Sequence, residues 1–405
     1  MMTRLRLPHA ALAAIALVMA GPALAASQSY TKADTYKNPA IKAGATVSLT
    51  NMLGHVTVVP ADDGVFSIDS KIMAGADSDQ DAQALTAKVK LEITASGNSV
   101  TAVAHYPVDE YTSYYYPRGT VVFGMNTTST EYEGERVRIS DGNFGSGINL
   151  HTDFTVHVPK GVSLTVDNKV GLIEANKVNA PLKLLTGSGD IKGGDNSGNL
   201  EAHTGSGDIT LGNHSGDLDV ETGSGDIVVS QVKGGDTKVR SGSGDLKLNN
   251  LAGILTAETG SGGVEVRKFS GAGIDVVTGS GDVVIEDATG SLKAHAGSGD
   301  ITVTGYKAGD AVDCHTGSGN VNLDGDLAAV VRLSMESGSG DIVVRTTGVP
   351  SLHISATSDS GDVNVDFPSM QNVSAHPHSI RADVNGAKGS AELDAGSGDV
   401  TFTKH

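Results

Sequence analysis

The chain has 405 residues, with 29 Lys and Arg against 47 Asp and Glu, and a formal net charge of −18. Such a surface repels nucleic acid and anionic lipid. A single cysteine, Cys314, excludes an internal disulfide framework, and an aromatic content of 4% without tryptophan leaves Val, Ile, Leu and Thr to build the core.

Residues 1–25 carry Arg4 and Arg6, an apolar run from Ala10 to Ala20, and Gly-Pro-Ala-Leu-Ala ending at Ala25, which reads as a secretory signal cleaved after Ala25. Cleavage would remove two cations and no acids, taking the charge from −18 to −20. No later stretch approaches the roughly 18 apolar residues of a membrane span, and no cysteine follows the cleavage region. The mature product is therefore expected to be exported, in the periplasm or at the cell surface, with no lipid anchor and no transmembrane segment.

Residues 26–160 form an N-terminal β region. Val47, Leu49, a Gly54 turn, Val56 and Val58 predict strand, turn and strand, while Val89 to Ile93, Ser96-Gly97-Asn98 and Val100 to Ala104 predict a hairpin. Between them Asp77 to Asp81 is an acidic loop able to open a short helix. Tyr106, Tyr111, Tyr114, Tyr115 and Tyr116 then cluster in one loop with Pro107 and Pro117. Two readings stand for this cluster: a solvent-facing contact surface, because Tyr combines large area with a polar tip, or a cap packed over the end of the following array.

From residue 161 to 367 one phrase governs the chain: Gly-Ser-Gly-Asp followed by Ile, Val or Leu. Its last position falls at Asp190, Asp208, Asp226, Asp245, Gly263, Asp282, Asp300, Asn320, Asp341 and Asp362, at intervals of 18 to 21 residues, with a further copy ending at Asp399. Between copies lie two short alternating runs, such as Ile209 and Leu211, then Leu218 and Val220, separated by a second turn at Ser215-Gly216. Period-two alternation gives strands with one buried face, and two strands with two turns per repeat describe one coil of a stacked array. The expected fold is all-β, a single-chain parallel β-solenoid of about ten or eleven coils, on the order of 50 Å long. Residues 368–405 are an interruption and a cap, with Ala391 to Phe402 expected as the last strand pair. Glycine is expected at the corners for backbone angles that a Cβ would penalise.

Stacked aspartates would lie about 4.8 Å apart and repel by roughly 0.9 kcal/mol per pair in water. A charged hydrogen bond from a turn N–H returns about 1.5–3 kcal/mol. Asp190, Asp208, Asp226, Asp245, Asp282, Asp300, Asp341, Asp362 and Asp399 are accordingly read as turn caps that need no ion.

The Leu53-Gly54-His55-Val56-Thr57-Val58 unit, the Val158-Pro159-Lys160-Gly161 lead-in and the tandem Gly-Ser-Gly-Asp coils together resemble the DUF4097 family of bacterial envelope proteins, which carries an adhesin label. The resemblance spans most of the mature chain. It implies a β-solenoid with no established catalytic residues, so no active-site residue is carried over.

The chemistry the repeats suggest is limited. Acidic glycine-rich repeats can bind calcium through several oxygens, but here the Asp follows the second Gly directly, leaving one carboxylate per turn. Beyond calcium no cofactor is expected. A column just outside the turn reads His203, Glu221, Arg240, Glu258, Val277, His295, His315 and Glu336; His295 and His315 are neighbours in it, with Asp313 on the same face, a donor set suited to zinc or copper. The commoner meaning of such a column is a varied exposed face. The His376-Pro377-His378 pair is a weaker candidate. Asp359-Ser360-Gly361-Asp362 has the look of a serine nucleophile phrase, yet it stands in register with the structural copies. The expected function is a non-catalytic structural or adhesion-type module of the envelope, its partner an envelope protein or glycan. The alternative is a carbohydrate-active or calcium-binding solenoid.

Overall fold

The computed structural model describes residues 28–116, 127–141 and 147–404; the leader expected at 1–25 and Pro117 lie outside them. The alternating runs become strands that stack in parallel, two to a rung. On one face Leu182 pairs with Leu200, Leu200 with Leu218 and Leu218 with Thr237. On the other, Ile191 pairs with Ile209, Ile209 with Ile227 and Ile227 with Leu246. These columns meet in one continuous core, so the expected β-solenoid is the observed fold. Cys314 lies inside it, fully buried, and burial pushes its thiol well above the ordinary range.

Two rungs are out of chain order. Thr46–Leu53 and Val56–Pro60 pair in parallel with Ser163–Val170 and Ile173–Asn176, so residues 46–60 form a rung beneath a partner about a hundred residues downstream. At the other end Gly389–Ala395 lies between Arg332–Ser337 and Leu352–Ser358, and Val400–Lys404 lies between Ile342–Thr346 and Val363–Asp366. The sequence led us to expect Ala391 to Phe402 as the last strand pair. Instead it is the penultimate rung, slotted between two rungs that are consecutive in the chain. Side-chain alternation and corner chemistry match on both sides of the slot, so the insertion keeps every inward residue inward.

Both ends switch from parallel to antiparallel pairing. At the N-terminal end Ile148–Val158 runs parallel to Val56–Pro60 but antiparallel to Phe66–Ala76, which pairs with Gln28–Asn38. Ser99–His105 lies parallel under Thr46–Leu53 and folds back on Lys90–Ser96. At the C-terminal end Ser379–Val384 runs antiparallel along Leu352–Ser358 and carries Gln371–His376. These hairpins cover strand edges that would otherwise template end-to-end association. The acidic loop does open a helix, Asp79–Lys88, with Ser78 Oγ accepting the Asp81 N–H at 3.1 Å.

Phe402 of the inserted rung is fully buried and meets Phe367 edge-to-face at 4.8 Å. Phe402→Ala should cost about 3–5 kcal/mol. Because each rung contacts only its neighbours, hydrogen exchange should speed up in 332–346 and 352–366 and stay unchanged in 182–249; uniform loss of protection would contradict the insertion.

Candidate functional site

The corner of each coil is built from three residue types. In the Gly-Ser-Gly-Asp turns the reason for glycine differs from the one expected. Gly189, Gly207 and Gly225 do not have positive φ; a Cβ on them would stand 1.9, 2.0 and 2.0 Å from the carbonyl oxygen of the glycine one rung below. Positive φ belongs to the second turn, at Gly198 (105°), Gly216 (126°) and Gly290 (115°). Into the first corner the preceding Thr or Ser inserts its hydroxyl: Thr222 Oγ1 donates to the Gly207 carbonyl at 2.9 Å and accepts from the Gly225 N–H at 3.1 Å. The same pair of bonds recurs at Thr204, Ser241, Thr259, Thr278, Thr316, Ser337 and Ser358. Ala296 and Ala395 hold the column without a hydroxyl. In the first rungs Asn51 and Asn168 take this place, their amides bonded to each other at 2.9 Å.

The aspartates form a second ladder. Each Oδ1 accepts the backbone N–H of the corresponding residue one rung on: Asp190 from Asp208 at 3.1 Å, Asp208 from Asp226 and Asp226 from Asp245 at 2.9 Å each. Asn320 takes part as an amide, accepting from Asp341 at 2.9 Å. At the C-terminal end Asp399 donates to Asp341 and Asp362 donates to Asp399, so the ladder follows spatial order, not chain order. One oxygen of Asp190, Asp208, Asp226, Asp245, Asp282, Asp300, Asp341 and Asp399 is thus committed to the backbone, which weakens the case for calcium there.

Two features stand out on the outer surface beside the second turn and the first corner. A groove of about 630 Å³ crosses the rungs from Ser163 to Thr256, lined along one column by Lys183, Glu201, Asp219 and Lys238 and along the turn by Pro181, Asp217, Asp236 and the exposed Ile254. Its acids have basic neighbours: Lys183 lies 2.5 Å from Glu201, and Arg240 lies 3.7 Å from Asp219. Further along the same face His295, Asp313 and His315 converge, their ligating atoms within 4.8 Å of one another and the imidazole rings 5.0 Å apart. Burial, and then the neighbouring His315, hold the His295 imidazole below its ordinary value.

The model of one protein family, Toastrack DUF4097, matches residues 132–269 and 251–350, together 219 of the 405 residues. The chain belongs to the Toastrack DUF4097 family. Three solved structures align over much of it. One, from Bacteroides fragilis and described as a "putative adhesin", is 14% identical, covers 73% of this chain and 97% of its own, with a TM-score of 0.33. A second "putative adhesin", from Parabacteroides distasonis, has the same identity and coverage and a TM-score of 0.32. A "putative cell adhesion protein" from Clostridium sporogenes is 10% identical, covers 93% and 100%, with a TM-score of 0.19. No curated protein matches the chain. Membership therefore rests on the family model.

In this Toastrack chain the tyrosine cluster is not a solvent-facing surface as a whole. Tyr106 and Tyr114 are buried, and Tyr106 stacks edge-on against Tyr114 at 6.0 Å and Tyr132 at 6.1 Å. The Tyr106 hydroxyl donates to Leu53 O at 2.8 Å and reaches Asn51 Oδ1 at 3.1 Å. Burial pushes all three phenols up. Tyr111, Tyr115 and Tyr116 are half-buried; Tyr111 lies under the Lys88 ammonium, and Tyr116 meets His151 edge-on at 5.0 Å. The cluster packs against the first rungs, and Tyr111, Tyr115 and Tyr116 keep partly exposed edges. His376 and His378 sit on the exposed C-terminal hairpin, outside the His295 cluster.

The hydroxyl ladder was the functional-looking pattern that sequence reading passed over, although a Thr or Ser precedes nearly every Gly-Ser-Gly-Asp. Thr222→Val should destabilise by about 1–3 kcal/mol, since it leaves a buried carbonyl and N–H unpaired, whereas Thr222→Ser should restore most of the loss. Chemical denaturation of both variants checks this, and equal stability of Val and Ser would remove the ladder's role.

Proposed function

We propose that this chain is a non-catalytic, exported interaction module of the bacterial envelope that presents its groove to an extended polymer, a linear glycan in the first instance. The observation that carries the reading is the groove itself: it follows the stack axis, and its polar lining repeats at the rung spacing of about 4.8 Å. A surface with a translational repeat suits a ligand with one. Neighbouring cations at Glu201 and Asp219 favour binding over acid–base work, where one carboxyl must be free to carry a proton. Export follows from the leader at residues 1–25, and an adhesion-type role agrees with the family's label.

A glycan array probed with the mature chain should show retention of linear neutral glycans. Charge reversal at Glu201 and Asp219 should weaken it at least tenfold, while Lys247→Glu on the opposite face should leave it unchanged. Binding indifferent to the Glu201 and Asp219 changes would sink the groove as the contact site. Release of new reducing ends during incubation would sink the non-catalytic reading.

A further inference from the structure

We propose that His295, Asp313 and His315 form a binding site for one divalent transition-metal ion of the zinc type, with Glu336 positioning His315. The site goes beyond the polymer-binding reading, because it lies on different rungs and needs no glycan. The register creates it. His295 pairs with His315 and His315 with Glu336, while Asp313 stands two residues before His315 on the same outward face. Parallel stacking thus places two imidazoles and a carboxylate at three corners of one patch, their donor atoms within 4.8 Å. Tetrahedral zinc with bonds of about 2.0–2.2 Å needs donors roughly 3.4 Å apart. Rotation of half-exposed side chains covers that difference without moving the backbone.

Three further observations point to an ion. First, Glu336 Oε2 lies 2.9 Å from His315 Nδ1, so that in the tautomer with Nδ1–H donating to it the Nε2 lone pair faces Asp313, with the Ser334 hydroxyl 3.3 Å away. Second, His315 Nε2 and Asp313 Oδ1 are in close contact, yet Asp313 Oδ1 has no hydrogen-bond partner, and neither has the buried Nε2 of His295. A cation in place of a proton would hold this carboxylate oxygen and the two ring nitrogens together. Third, Lys293, the register partner of Asp313, is engaged with Asp275, 3.5 Å away. Two nitrogen donors and one oxygen select a borderline metal over calcium or magnesium, which take oxygen ligands. The side chains are about a third exposed, at 37%, 33% and 32%, so a fourth position faces solvent.

The competing arrangement is a protonated His315 shared between Asp313 and Glu336, with no affinity for metal. Calorimetric titration of the chelator-treated mature chain with zinc chloride separates the two, and cobalt(II) absorption gives a second readout of coordination. The expected result is one ion per chain, binding weakened at least tenfold by His295→Gln and by His315→Gln, and about tenfold by Glu336→Gln. His353→Gln, at an exposed histidine on a neighbouring part of the stack, should leave the affinity unchanged. Zinc should raise the melting midpoint of the unaltered chain and not that of His295→Gln. Absence of saturable binding, or an affinity that survives either His295→Gln or His315→Gln, would overturn the proposal; the variants change outward side chains only, and circular dichroism verifies that each is folded.

Discussion

At every first corner one rung's backbone touches the next. A Cβ on Gly189, Gly207, Gly225 or Gly244 would stand about 2 Å from a carbonyl oxygen below it, at 1.9 to 2.0 Å, so only glycine lets the corners close to strand spacing. Everything else on the molecule is set by that approach. At this separation a threonine hydroxyl spans from its own turn to the rung beneath, and an aspartate reaches the next N–H but no farther. The same spacing puts outward residues of successive rungs in direct contact, which is why Lys183 meets Glu201, Arg240 meets Glu221 and His295 meets His315. Surface chemistry on this fold is written in columns.

Much of this was legible from period alone. The 18-residue spacing identifies the coil, the alternation identifies the inward residues, and the column position identifies His295 and His315 as neighbours. What the spacing does not hold is the order of rungs. Asp341, Asp362 and Asp399 stand in equivalent phrases, and either Asp362 or Asp399 can receive the Asp341 ladder; the choice is made by the antiparallel hairpin from Gln371 to Val384, which turns the chain back into the slot. The rung at Val47 to Val58 was hidden for a related reason, since its partner at Leu164 to Ala175 is far away in sequence and its corner carries Asn51 and Gly54 in place of the repeated phrase. Tyr106 and Tyr114 stand among prolines and acids, a setting that leaves both a surface and a cap reading open. They are core, packed edge-on with each other and, for Tyr106, with Tyr132, and the Tyr106 hydroxyl is bonded at the Asn51 corner.

The two out-of-order rungs share a consequence. A solenoid whose chain simply ran from end to end would present its final strand as an open template. Here the last segment of the chain is enclosed between two others, and hairpins lie over both ends. The outer face is left as the surface for interaction, acidic in balance and rigid in spacing, with the groove and the His295 cluster on separate stretches of it.

The rung order at the C-terminal end is the claim most directly open to measurement. In a Cys314→Ala background, cysteines at Val343 and Thr401 occupy paired outward positions on adjacent rungs, about 4.8 Å apart, whereas Val343 and Asn364 are two rungs apart at about 9.6 Å. Mild oxidation should join Val343→Cys to Thr401→Cys and leave the Val343→Cys and Asn364→Cys pair free. The reverse pattern would show that the rungs stack in chain order and would contradict the ladder described for Asp341, Asp399 and Asp362.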